Sequence, residues 1–243
     1  DDRNKQTSLF SMITFSRRFG EVLHYQWAYG DGSIDLAEAL EAGLAAGNAI
    51  TESAGLGTGG FRLLRPLTTE QGSDSLVWLE RYADYHAWAT TEITAQRSPE
   101  WMGMIIASQQ NTDLSWLGES HAMVEDTLGE DVPPQHERVA VDWTTFDPTK
   151  LAALTTFPEL VQELGDLARK AGFTESGVRY FGMPTSAGRD LNLAHIWIEH
   201  PSPSVLGEFL GWRQASPELA DWRQRLRQAG GEPRSHHLLW QVA

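Results

Sequence analysis

Two passages of this chain repeat, and the repeat constrains the fold more than any single motif. Leu76-Val77-Trp78-Leu79-Glu80, leading on to Ser98-Pro99-Glu100-Trp101, comes round again as Leu193-Ala194-His195-Ile196-Trp197-Ile198-Glu199, leading on to Ser216-Pro217-Glu218. In each copy an apolar alternating run carries a Trp and, two residues on, a Glu. A helix-compatible stretch follows, and Ser-Pro-Glu opens a second helix. Internal self-similarity outranks local propensity as a guide to architecture, so the 243 residues read as two similar halves sharing a core.

Each half alternates between strand and helix periodicity. Glu21 to Tyr29 alternates as a strand, with Leu23, Tyr25 and Trp27 on one face and His24 and Gln26 on the other. After Gly30-Asp31-Gly32, Ser33 or Asp35 can cap an Ala-rich helix from Leu36 to Ser53, where Gly43 and Gly47 permit close packing on a sheet. Strands over Phe61–Leu67 and Ser75–Tyr82 come next, then helical pieces over Tyr85–Gln96 and Pro99–Gln109, then a strand within Leu114–Met123. The second half retraces the path: a strand from Arg138 that sets Trp143 against Trp27 in the alignment, a helix over Pro158–Ala171 ended by Gly172, and a hairpin of Gly177–Met183 and Leu191–His200. Helices over Ser204–Gln214 and Pro217–Ala229 and a strand over Ser235–Val242 complete it. Residues 1–20 read as an N-terminal extension, 21–124 as the first repeat, 125–137, with Gly129 and Pro133-Pro134, as a linker, and 138–243 as the second repeat.

Each half is therefore β-α-β-β-α-β, the split βαβ arrangement of ferredoxin-like proteins. Helices cover one face of each antiparallel sheet, so the two remaining faces must bury each other. With this element order, the Trp-x-Glu strands and the Ser-Pro-Glu helix break, residues 21–242 resemble the dimeric α+β barrel superfamily. The resemblance implies an α+β protein in which two tandem ferredoxin-like βαββαβ repeats pack into one internal α+β barrel, a pseudo-dimer around a cavity. The chain is similar to the antibiotic-biosynthesis monooxygenases and EthD-like proteins, which implies cofactor-independent oxygenation, or a related acid/base reaction, of a small apolar or aromatic compound. The chlorite dismutase and dye-decolorising peroxidase families also pair such units, around a haem with a proximal His, and give the alternative of a haem or metal protein. Tyr29-Gly30-Asp31-Gly32 departs from the peroxidases' Gly-x-x-Asp-Gly, and the expectation here is no cofactor. A third reading is a non-catalytic binding or interaction protein whose barrel is closed by side chains.

Composition narrows the partners. A net charge of −14 repels phosphate backbones and anionic lipid, and no apolar run reaches the ~18 residues needed to span a membrane, so neither nucleic acid nor membrane is expected. A small-molecule ligand is, with a further homodimer beyond the internal pseudo-dimer. Arg223, Arg225 and Arg227 alternate along a helix as solvated surface. The chain holds no cysteine, which removes disulfides and thiolate chemistry. It begins at Asp1, without Met or a signal-like segment, and reads as a processed or trimmed soluble chain of the cytoplasm or periplasm. Gly55-Leu56-Gly57-Thr58-Gly59-Gly60 matches the dinucleotide fingerprint literally, but it follows a helix and precedes a strand, the reverse of what pyrophosphate binding needs.

Strand parity nominates the cavity lining. Ala194, Ile196 and Ile198 form an aliphatic face suited to helix packing, which turns Leu193, His195, Trp197 and Glu199 inward; by the repeat, Leu76, Trp78, Glu80 and Tyr82 turn inward too, joined by His24, Gln26, Asp142 and Thr144. A carboxylate in a Trp-walled cavity has a raised pKa, and a nearby His exchanges protons near neutrality. The catalytic candidates are thus His195 with Glu199, and His24 with Glu80. His195 is the preferred base and Glu199 its orienting partner. Trp78, Trp197, Tyr82, Gln26 and Asp142 are the substrate-contact candidates. The competing reading makes Glu80 and Glu199 repeated structural contacts. His236 and His237 enrich the second half in imidazole, and a His/Asp/His set through Asp142 is conceivable; no HExxH or CxxC spacing supports it, and no metal is expected.

Overall fold

The computed structural model describes residues 18–30, 35–53, 61–67, 74–82, 84–110, 114–127, 139–148, 153–181 and 194–242. Its first half runs β1 (Arg18–Gly30), α1 (Leu36–Ser53), β2 (Phe61–Pro66), β3 (Ser75–Tyr82), α2 (Tyr85–Arg97), α3 (Pro99–Gln110), β4 (Leu114–Thr127). The second runs β5 (Ala140–Pro148), α4 (Ala153–Lys170), β6 (Gly177–Phe181), β7 (Ala194–His200), α5 (Pro203–Ala215), α6 (Pro217–Gln228), β8 (Gly231–Gln241). The result is a mixed α+β fold with one antiparallel sheet whose strand order, β1-β3-β2-β8-β5-β7-β6-β4, closes on itself. The order β4-β1-β3-β2 in the first half is the order β8-β5-β7-β6 in the second. Two seams join them: among the described residues, three register pairs between β2 and β8 and two between β4 and β6.

Local chemistry sets the element ends. Asp35 Oδ1 accepts from the amides of Ala37 (2.9 Å) and Glu38 (3.3 Å) and so caps α1. Asp84, Ser98, Ser202 and Ser216 do the same for α2, α3, α5 and α6. Gly172, at φ +101°, ends α4 in a conformation that favours glycine. Gly47 lets α1 lie close on the sheet: a Cβ there would come within 2.8 Å of the Phe61 ring.

Several boundaries differ from the sequence expectation; β8, expected from Ser235, begins at Gly231. Residues 18–20, assigned to the extension, belong to β1, and 125–127, assigned to the linker, continue β4. Glu125 and Asp126 pair there with Phe181 and Tyr180 of β6, so the extra length is what closes the barrel. The first-half helix α1 keeps its expected span, but α4 starts at Ala153 and Pro158 lies inside it. The added turn carries Phe157, which is fully buried in the second-half core. Residues 1–17, the Gly55–Gly60 turn, most of the linker and Leu193 lie outside the described residues.

The core is layered. One cluster is drawn from strands alone, with Tyr25, Leu64, Val77, Leu79, Val141, Trp143, Trp197 and Leu239 filling the barrel. Two others lie between sheet and helices: Leu76 and Trp78 against Leu36, Leu40 and Leu44 of α1, and Ala194, Ile196 and Ile198 against α4, α5 and α6. β3 and β7, covered on both faces, are buried at every position.

This layering corrects the expected parity in the first half. Trp78, Glu80 and Tyr82 face the helices, while Val77, Leu79 and, by alternation, Arg81 face the barrel. In the second half His195, Trp197 and Glu199 do face inward. The reason is a one-residue offset. The helix caps Asp84 and Ser202, like Ser98 and Ser216, are 118 positions apart (84 to 202, 98 to 216), and the strand pairs Gln26↔Trp78 and Thr144↔Ile196 keep that spacing. Glu80 and Glu199 are 119 apart. The structural counterpart of Trp78 is Ile196, that of Glu80 is Ile198, and a slip of one residue exchanges the two faces of a strand. His24, Gln26, Asp142 and Thr144 are turned outward as well, because they pair with the outward residues Glu80, Trp78, Ile198 and Ile196, and paired residues share a face.

Candidate functional site

Two polar clusters in this fold carry chemistry. The first sits outside the barrel wall, beneath α2. Glu80 of β3 accepts hydrogen bonds from His24 of β1 (Nδ1, 2.9 Å), from the Trp78 indole (2.6 Å) and from the Tyr82 hydroxyl (2.5 Å). β1 supplies His24 because it pairs with Glu80 across the ladder. Burial pushes the Glu80 carboxyl up, but the charge and hydrogen bond of His24, with the Tyr82 and Trp78 bonds, outweigh it and hold the group below its ordinary value. For His24 burial works downward, and the Glu80 charge and bond prevail and raise it. Both directions favour the charged form of each partner. Burial, then the neighbouring Glu80 charge, lifts the Tyr82 hydroxyl and the Glu92 carboxyl of α2.

His24, Glu80 and Glu92 form the one group among the described residues whose donor atoms, all within 4.8 Å of one another, could share a metal ion. A mixed imidazole and carboxylate set suits a divalent ion. In this geometry the Glu80 carboxylate is already occupied by three donors, and the cluster is complete as a hydrogen-bonded network.

The second cluster lies at one end of the barrel. Below that end the interior is filled. Trp143 of β5 packs edge-on against Tyr25 (4.7 Å between ring centres) and tilted against Trp197 (5.6 Å), and its indole donates to Nδ1 of His195 (3.1 Å). His195 is fully buried, and Trp197 donates to Glu199 Oε1 at 3.0 Å further down. Above Trp143 a cleft of about 250 Å³ opens. Trp27, stacked over Trp143 at 6.3 Å, and His237, 5.0 Å from Trp27 and 5.2 Å from Trp143, make its aromatic walls. Thr145 and Ser235, hydrogen-bonded to each other at 2.7 Å, and Arg234 make its polar side. Burial, then the adjacent His236, holds the His237 imidazole below its ordinary value, so it is neutral at pH 7. A larger groove of about 450 Å³ runs over the outer surface between α4 and α6; the Glu163–Arg225 ion pair crosses it, and it has no aromatic wall.

The nominated residues thus separate. His24, Glu80, Trp78 and Tyr82 come together, on the helix side and not in the cavity, and Gln26 lies on that same outer face of β1. His195, Trp197 and Glu199 come together inside the barrel, below the cleft. Asp142 is outside: β5 does lie between β7 and β8, but Asp142 binds Arg213 of α5 (2.5 Å) and His236 (2.7 Å), while His195 points the other way, so no His/Asp/His set forms. The cleft residues Trp27, Thr145, Ser235, Arg234 and His237 were not nominated. The 118-residue spacing of the helix caps was the signal that would have turned Trp27 and Trp143 inward. Of the surface arginines, Arg225 binds Glu163 (2.7 Å) and Asp221 (2.9 Å), and Arg223 donates to the Arg213 carbonyl (2.7 Å).

A haem does not fit the described residues. The sheet–helix layer of the second half is closed by Phe146, Phe157, Phe209 and Trp222. The imidazole of His200 in this layer is held by Ser176 at Nδ1 (2.8 Å) with its ring 4.8 Å from Phe209, and burial lowers its pKa to about 4. Among the described residues the barrel interior is occupied by Tyr25, Trp143 and Trp197 with their aliphatic neighbours. Nε2 of His200 is buried without a partner among the described residues.

No protein-family model matches the sequence, and no curated protein matches it. Solved structures do share the fold. A provisionally assigned monooxygenase from Fusobacterium nucleatum superposes with a TM-score of 0.57 at 14% identity, over 93% of this chain and 94% of that one. A provisionally assigned chlorite dismutase gives 0.52 at 10% identity over 92% and 95%. A chlorite dismutase from Candidatus Nitrospira defluvii gives 0.53 at 11% identity over 93% and 92%. At these identities the likeness is one of fold. No described helix is long and apolar enough to cross a membrane.

Proposed function

We propose that the chain is a small-molecule-binding α+β barrel of two fused ferredoxin-like units, about 21–124 and 138–243, which takes an apolar or aromatic compound in the cleft at the end of the barrel. One observation carries the reading: aromatic faces, two hydroxyls and a neutral imidazole converge on a cavity at the end of an otherwise filled barrel. The aromatic walls fit a flat ligand. The chemistry we assign is cofactor-independent proton abstraction, the opening step of a monooxygenase-like oxygenation. His237 takes a proton from an acidic C–H or O–H of the compound, and dioxygen is the electron acceptor for the anion that results. The Thr145–Ser235 pair is placed to hydrogen-bond the substrate's oxygen. His195, once the preferred base, is sealed beneath Trp143 and becomes a positioning residue that fixes the indole; Glu199 lies deeper still. His24 and Glu80 support the wall from outside.

Oxygen uptake with a panel of phenols and activated methylene compounds tests this. For a substrate that turns over, His237→Ala lowers kcat by about 10²–10⁴-fold, as loss of a general base does. The rate of the wild type falls on acidification with a midpoint below the ordinary imidazole value of 6.5, because His237 must be neutral to accept the proton. Unchanged turnover in His237→Ala contradicts the assignment. The filled interior also favours a second reading, a binding protein without turnover, which predicts saturable ligand binding and no oxygen uptake. A further homodimer belongs to the same reading, and light scattering on the purified chain reports it.

A further inference from the structure

We infer that the outer faces of α2 and α3 form the contact between two copies of this chain, which meet across a two-fold axis. The inference rests on the further homodimer proposed above and gives it a face; it is independent of what the cleft binds. α3 departs from the pattern of its counterpart. Its sequence, Pro-Glu-Trp-Met-Gly-Met-Ile-Ile-Ala-Ser-Gln-Gln, holds one charged residue, Glu100, yet none of its described side chains is buried. It is seated by the half-buried Trp101, whose ring meets Phe61 (5.9 Å) and Trp78 (6.3 Å). α6, which starts 118 positions on (Pro99 to Pro217), does the opposite: it buries Leu219, Trp222 and Leu226 and carries Glu218, Asp221, Arg223, Arg225 and Arg227. A surface helix turns an apolar stripe to the core and charges to water. α6 follows that rule and α3 does not.

The contrast holds residue by residue. Ile93 of α2 and Met102 and Ile106 of α3 are 51%, 37% and 50% exposed. The same places in the second half (93 to 211, 102 to 220, 106 to 224) hold Gly211, Ala220 and Gln224, all exposed. The two units share one fold, so the fold does not demand large apolar side chains there, and an apolar face of this kind marks an interaction surface. Charge selects the occupant. A chain of −14 repels its own copy over most of its surface, and α3 beyond its first turn lacks that charge. Arg97, the last residue of α2, and Glu100 are both exposed and stand either side of Ser98. Across a two-fold axis Arg97 of each copy can face Glu100 of the other, so the face complements itself. Helices of 13 and 12 residues are about 18–20 Å long. A face of that size buries under about 600 Å² of each partner, which gives a dissociable dimer rather than a permanent one.

Sedimentation velocity on the full chain across the micromolar range is expected to show a monomer–dimer equilibrium. Ile106→Glu and, independently, Met102→Glu place a carboxylate on both copies at once, and each weakens the dimer at least about tenfold. Both positions are exposed, so far-UV circular dichroism stays that of the wild type. Gln224→Glu, the same charge at the equivalent place in the second half, leaves the dimer unchanged. Arg97→Glu weakens it, and Arg97→Glu combined with Glu100→Arg restores it. A chain that is monomeric throughout overturns the inference together with the homodimer, and leaves the face to an unlike partner. A dimer indifferent to Ile106→Glu and Met102→Glu is built on another face, which overturns this inference alone. Failure of the charge exchange to restore association overturns the two-fold pairing.

Discussion

Replacing Glu80 by Gln removes the charge that His24, Trp78 and Tyr82 are arranged around. Breaking a buried pair from one side strands the other charge and costs about 3–5 kcal/mol, so Glu80→Gln should lower unfolding stability by that order. The pH dependence carries a sign that packing loss would not. Glu80, depressed in the fold, contributes stability above its ordinary 4.5 that is lost as pH falls through its folded value. His24, raised in the fold, contributes fully below its ordinary 6.5, and that part is lost as pH rises through its folded value. Urea titrations should find the deficit of Glu80→Gln largest between about pH 4.5 and 6.5, the ordinary values of the two groups, and smaller toward strongly acid and alkaline pH; a deficit that does not vary with pH would refute the ionised pair. At this scale the sequence was partly legible. Glu80 with His24 was a readable pairing, because a Trp-x-Glu strand beside a His-bearing strand needs a donor for its carboxylate. Glu92, Arg234 and His237 were not, because their roles depend on which strand neighbours which and on a bulge at Arg234 that leaves no mark in composition.

Elements were easier to read than faces. Capping residues and proline placement fixed α1, α2, α3, α5 and α6 to within a residue or so, and β3 was readable at both ends. The faces of β3 and β7 were not readable from hydrophobicity, since a strand covered by barrel on one side and helix on the other is apolar throughout and has no alternation to follow. The Trp-x-Glu match then drew the two strands into the wrong register, whereas the helix caps kept the right one. The close seat of α1 makes a prediction at the same scale. In Gly47→Ala the new methyl meets the Phe61 ring at 2.8 Å, and overpacking of this kind costs about 1–3 kcal/mol, more than the helix propensity that alanine gains. Thermal unfolding should show a lower Tm; a higher one would mean that α1 stands off the sheet.

The interior cluster takes Tyr25, Leu64, Val77 and Leu79 from one half and Val141, Trp143, Trp197 and Leu239 from the other. Neither half can bury its inner face alone, although among the described residues the seams between them are short. Circular dichroism and tryptophan fluorescence should therefore report one coincident unfolding transition; two separated transitions would mean independent halves. Closure of the sheet was legible from the duplicated element order; the division of the polar residues was not, since His24, Gln26, Glu80 and Asp142 face the helices while His195 and Glu199 face the barrel. The most direct test of the whole account is a ¹H–¹⁵N spectrum of the indole signals, assigned by single Trp→Phe variants, recorded with and without phenol. On titration the Trp27 and Trp143 indoles are expected to shift while Trp78, beneath α1, holds still. Movement of Trp78 with Trp27 and Trp143 unmoved would put the ligand between helix and sheet and contradict it.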